Sequence, residues 1–112
     1  MINRSAIVVV PKQPFLDWLH QVDSTSKDIT LAELTSEPSI YLLPEVETDE
    51  GLLRTLRKFC DEIFVDALDG WYRDPEVWPP DRSFELFSAW FDYSFHLILK
   101  DVAEGPVRRH PY

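Results

Sequence analysis

The chain of 112 residues has one cysteine, three glycines and few cations, and each shortage excludes a class of protein. A single thiol, Cys60, cannot form an internal disulfide, so the chain is expected in the reducing cytoplasm. Gly51, Gly70 and Gly105 are too scattered to build a phosphate-cradling loop or a dinucleotide fingerprint. Against 20 Asp and Glu stand only 11 Lys and Arg, a formal charge of -9. Nucleic acid and anionic membranes are bound by clustered cations, so neither is an expected partner. Long apolar runs are also missing. Ala6-Ile7-Val8-Val9-Val10 is closed by Pro11, whereas a signal-peptide core needs roughly 7–15 apolar residues and a membrane span about 20. The Asn3-Arg4-Ser5 sequon carries no meaning in a chain read as cytoplasmic.

What is present suits one α+β domain over residues 1–104, with a mobile tail over 105–112. Ala6 to Val10, short and β-branched, reads as a buried strand. Pro14 starts a helix on which Phe15, Trp18, Leu19 and Val22 recur at helical spacing. Ile29 to Leu34 carries two signals. Ile29 and Leu31 alternate as in an edge strand, which is the reading adopted, while Thr30 and Glu33 have the spacing of a capping box. Ser39 to Pro44 is a strand between prolines. Thr48 caps a long helix from Asp49 to about Gly70, its apolar stripe including Leu56, Phe59, Ile63 and Phe64. Asp81 caps another helix to about Tyr93, and a last strand is expected from Phe95 to Val102. The order β-α-β-β-α-α-β predicts a ferredoxin-like split β-α-β antiparallel sheet with one added helix.

Charge and aromatic residues are concentrated together. Asp61 to Glu85 holds eight acids and two bases, and ten of the fifteen aromatic residues lie between Asp61 and Phe95. Glu62, Asp66 and Asp69 are spaced i, i+4 and i+7, which lines one helix face with carboxylates. Such a row is either a solvated face or an acidic recognition stripe; a Mg²⁺ or Ca²⁺ site is a weaker reading, because no diagnostic loop accompanies it. The proline-restricted loop from Trp71 to Arg82 offers Trp71, Tyr72, Asp74, Trp78 and Arg82 either as anchors of the fold or as an interaction patch.

The series Trp71, Asp74, Trp78-Pro79, Arg82, Phe84 and Trp90-Phe91 resembles a group of small acidic bacterial proteins of unknown function. The likeness covers about residues 60–102 and extends weakly to Ile40 through Glu45. It implies a bacterial cytoplasmic setting and no catalytic residues. Cys60 lies on an apolar stripe and reads as a buried hydrophobe. His20, His96 and His110 form no ligand motif, so no metal or cofactor is expected. The leading expectation is a non-enzymatic protein-binding module with a basic partner. The alternatives are a small-ligand or metal-dependent enzyme with its site under the Trp71–Arg82 loop, and a structural homodimer.

Overall fold

The computed structural model describes residues 1–110. Among the described residues, three antiparallel strands form one sheet. The central strand β1 (Arg4–Pro11) is paired along both sides, with β2 (Ser39–Pro44) and β3 (Phe91–His96). Flanked in this way, it keeps Ala6 buried and Val8 and Val10 half-buried, in keeping with its unbroken apolar run. Ile7 and Val9 face the helices and are buried. By strand alternation Ala6, Val8 and Val10 face the other way.

Helix α1 (Gln13–Val22) follows directly, with Pro14 in its first turn and Phe15, Leu16, Trp18 and Leu19 buried. Asp23 ends it and accepts a hydrogen bond from the Thr25 amide at 3.0 Å, opening a short 3-10 turn. The next segment corrects the sequence reading. Leu31–Leu34 is a helical turn, α2, and not an edge strand. Thr30 Oγ1 accepts from the Glu33 amide at 3.2 Å, so the capping box prevails over the short alternation. Leu34 anchors the turn in the core. The sheet of the described residues accordingly has three strands where four were expected.

Helix α3 (Asp49–Trp71) begins as expected, Thr48 Oγ1 accepting from the Gly51 amide at 3.0 Å. A β-carbon at Gly51 would lie 2.5 Å from Val46 Cγ1, so the β2–α3 connection passes too close for any other residue without displacement. The helix buries Leu52, Leu56, Cys60, Ile63, Phe64 and Leu68, while Phe59 is only half-buried at the margin of the core.

Two boundaries near the end also differ from expectation. Ser83, not Asp81, caps α4 (Phe84–Trp90), its hydroxyl accepting from the Leu86 amide at 3.2 Å. Asp81 accepts from the Ser83 amide one step earlier. The chain then enters β3 at Phe91, four residues before the expected start, and β3 ends at His96. Phe87, Phe91 and Phe95 fit a helical spacing, but Phe91, Tyr93 and Phe95 also alternate. Pairing of Pro11 through Ala6 with Phe91 through His96 selects the alternation. Phe91 gathers the aromatic core, with ring centroids 5.0 Å from Phe87, 5.2 Å from Phe64 and 5.5 Å from Phe15. From Leu97 to His110 the chain is irregular, and Ile2 donates its amide to the Leu99 carbonyl at 2.8 Å. The tail expected to Tyr112 is exposed from Gly105 to His110; its last two positions lie outside the described residues.

Candidate functional site: an acidic groove beside the β2 edge

The eight residues singled out in the sequence fall into two groups. Glu62, Asp66, Asp69 and Trp71 lie on or at the end of α3 and line two adjoining clefts beside β2. Tyr72, Asp74, Trp78 and Arg82 hold a loop in place.

The loop group is mostly engaged within the fold. Trp78 Nε1 donates to the Tyr72 carbonyl at 2.8 Å, and Trp18 Nε1 donates to the Val77 carbonyl at 2.9 Å. Asp74 caps the turn Pro75–Val77 by accepting from the Glu76 amide at 3.1 Å. Arg82 reaches back to Asp61, 2.8 Å from Nε to Oδ1, and donates through Nη1 to the Pro79 carbonyl at 3.0 Å. Tied this way, the loop closes the end of the core where α1, α3 and α4 converge. Neither cleft beside β2 is lined by Asp74, Arg82 or a histidine, the combination an enzymatic site under this loop would require.

The α3 group faces open space. The larger cleft, about 540 Å³, runs between α2, the start of β2 and the C-terminal end of α3, with Glu33, Glu37, Asp66, Asp69, Trp71 and Arg73 on its walls. The smaller, about 250 Å³, lies between β2 and the middle of α3, with Leu43, Phe59 and Ile63 as its apolar walls and Glu62 and Asp66 at its rim. Tyr41 and Asp66 belong to both. Tyr41 Oη donates to Asp66 Oδ2 at 2.6 Å, which fixes the carboxylate between β2 and α3. Among the described residues that line the two clefts, five carboxylates, Glu33, Glu37, Glu62, Asp66 and Asp69, stand against Arg73. That guanidinium lies 3.9 Å from Asp69, an exposed i, i+4 pair of small energetic weight. The Phe59 ring already carries a cation, with Lys58 Nζ 5.5 Å from its centroid.

Sequence spacing placed Glu62, Asp66 and Asp69 on one face, but it missed Tyr41, Phe59, Glu33 and Glu37. Glu33 and Glu37 became visible as part of the site only once Leu31–Leu34 is helical, which swings them toward the start of β2. Tyr41 is an inward position of β2 whose hydroxyl reaches across to α3. No spacing rule within one element announces such a bond.

Other chemistry-bearing groups lie apart. Cys60 is buried on the core side of α3; burial first, and then the neighbouring Asp61 carboxylate, push its thiol above the ordinary range. A thiol held neutral is a poor nucleophile. A ring nitrogen of His20 lies 2.9 Å from the Ile29 carbonyl, and one of His96 lies 3.1 Å from Ser94 Oγ. Among the described residues no group of three or more His, Cys, Asp and Glu is arranged to hold a metal ion, and no helix is long and apolar enough to cross a membrane. Compared with family models, curated proteins and solved structures, the chain matches none of them.

Proposed function

We propose that the protein is a non-enzymatic protein-binding module that receives a basic partner on the groove beside β2. The observation that carries this reading is the placement of Asp66. Anchored by Tyr41, it stands where two clefts meet, within a rim of five carboxylates and one arginine. Such a field accelerates encounter with a cationic surface and repels phosphate and anionic lipid. The apolar walls made by Leu43, Phe59 and Ile63 supply the contact that charge alone lacks.

The ferredoxin-like reading belongs to the same proposal. In a split β-α-β unit the two parallel strands flank a third, so the segment after the first helix would take the outer edge beside β2. Here that segment is α2, and the remaining three strands keep the order a split unit would give them. The likeness to small acidic bacterial proteins of unknown function is likewise part of this reading.

Charge position separates a site from general acidity. Glu62→Gln/Asp66→Asn/Asp69→Asn and a control, Asp17→Asn/Asp28→Asn/Glu104→Gln, remove the same charge from the groove and from elsewhere. Binding of a blocked arginine-rich peptide should weaken at least about tenfold in the first variant and much less in the second, the difference shrinking as salt rises. Equal weakening in both would mean the partner meets net charge and not this groove.

A further inference from the structure

Among the described residues, no strand lies beside the outer side of β2. Among the described residues its strand partner is β1 alone, bonded through Ser39, Tyr41 and Leu43, so the N–H and C=O groups of Ile40 and Leu42 point away from the sheet. Strand edges are commonly protected by a charge within the strand, yet Ser39-Ile40-Tyr41-Leu42-Leu43-Pro44 has none. Ile40 is 66% and Leu42 52% exposed on the face turned away from the helices. Next to them on that face, across the register, lie Val8 and Ala6. On the opposite face the same edge borders the cleft formed with Phe59, Ile63, Glu62 and Asp66.

We propose that the occupant of the groove is an extended basic segment of another protein, which adds to the open edge of β2 as a fourth strand. This rests on the acidic-binder reading above and specifies the form the partner takes. The two faces dictate the guest's sequence. Residues opposite Ile40 and Leu42 lie on the open face and gain from apolar side chains. Those opposite Tyr41 and Leu43 enter the cleft, where an arginine or lysine stem covers Ile63 beside the Phe59 ring that Lys58 already occupies, and its cation meets Glu62 and Asp66. The guest is therefore a run of alternating basic and β-branched residues. Pro38 and Pro44 lack the N–H groups a longer ladder would use and confine it to the length between them. A second copy paired edge to edge is disfavoured, because it would bring two rims of five carboxylates together on chains of charge -9.

The test uses the full chain, a blocked peptide of about six alternating arginine and valine residues, and the same peptide methylated at its backbone amides. The unmodified peptide should bind and slow hydrogen exchange at amides within residues 39–43 at least about tenfold. Methylation should weaken binding by a similar factor, since it removes the donors of the ladder and leaves the charge. Equal binding of both peptides, or binding without protection of 39–43, would overturn the added strand while leaving the acidic-binder reading intact. Binding of neither at low salt would overturn both. Protection of 39–43 that appears without peptide and grows with protein concentration would assign the edge to a second copy and overturn the proposal.

Discussion

The two edges of the sheet, β2 and β3, alternate in the same manner and present opposite chemistry to solvent. Along β3 the inward positions are Phe91, Tyr93 and Phe95, and the outward ones are Asp92, Ser94 and His96. Lys12 Nζ approaches Asp92 to 4.0 Å, and Ser94 and His96 are hydrogen-bonded to each other. Along β2 the inward positions are Tyr41 and Leu43, and the outward ones are Ile40 and Leu42. One edge is thus anchored by rings inside and defended by polar groups outside. The other is more lightly anchored and apolar outside, its acids displaced onto α2 and α3. Alternation alone sets which side chains enter the core. The identity of the outward set decides whether an edge is closed to other chains.

The inner face of β3 provides the strongest way to break this comparison. Phe91 is 1% exposed and touches three other core rings, so Phe91→Ala should cost about 3–5 kcal/mol by chemical denaturation. A loss below about 1 kcal/mol would mean that β3 is not the anchored edge. Exchanging the outward chemistry is the next test. Asp92→Val/Ser94→Ile gives β3 the exposed apolar character of β2 and should raise self-association at least about tenfold in sedimentation, equivalent to ~1.4 kcal/mol. A variant that stays as monomeric as the parent would show that polar outward residues are not what closes this edge.

A smaller effect is expected where β2 meets α3. Tyr41→Phe removes the bond to Asp66 and should lower stability by about 0.5–1.5 kcal/mol, while freeing that carboxylate to move. No change in stability, together with unchanged peptide binding, would show that the bond does not fix the groove.

The smallest effect is a pH slope from Cys60, on the core side of the same helix. Its raised pKa means that the native state keeps the proton after the unfolded thiol, near 9.0, has lost it. The stabilising contribution is complete below that pH and is lost as pH rises through the native value. Denaturation midpoints should therefore fall more steeply above about pH 9 than in Cys60→Ala. Identical slopes would mean that the thiol is not shielded in the core.

The legible parts of the fold were those where several local signals agreed. Pro14 with the Phe15, Trp18, Leu19 and Val22 spacing marked α1; Thr48 with Asp49 and Glu50 marked the start of α3; Pro38 and Pro44 bracketed β2. Errors arose where two periods fitted the same residues. At Ile29 to Leu34 a side-chain cap outweighed alternation, and at Phe91 to Tyr93 pairing with β1 ended the helix early. The site was half visible for a related reason. Carboxylates sharing a helix face follow from spacing, whereas the walls contributed by Tyr41, Leu43 and Phe59 depend on how α3 is seated against β2.

That seating has a consequence for how the chain can tolerate length changes. Gly51 against Val46 sets the starting phase of α3 at one end, and each residue added to a helix turns everything beyond it by about 100°. The helix therefore acts as a dial whose zero is Gly51 and whose pointer is Asp66. One residue inserted between Leu53 and Phe59 would leave α3 helical while turning Glu62, Asp66 and Asp69 off the β2 side and Ile63 and Phe64 out of the core. An insertion in the tail after His96 disturbs no phase. Within α3, tolerance of an added residue is thus set by whether core and groove side chains follow it in the same helix, not by the exposure of the point of insertion.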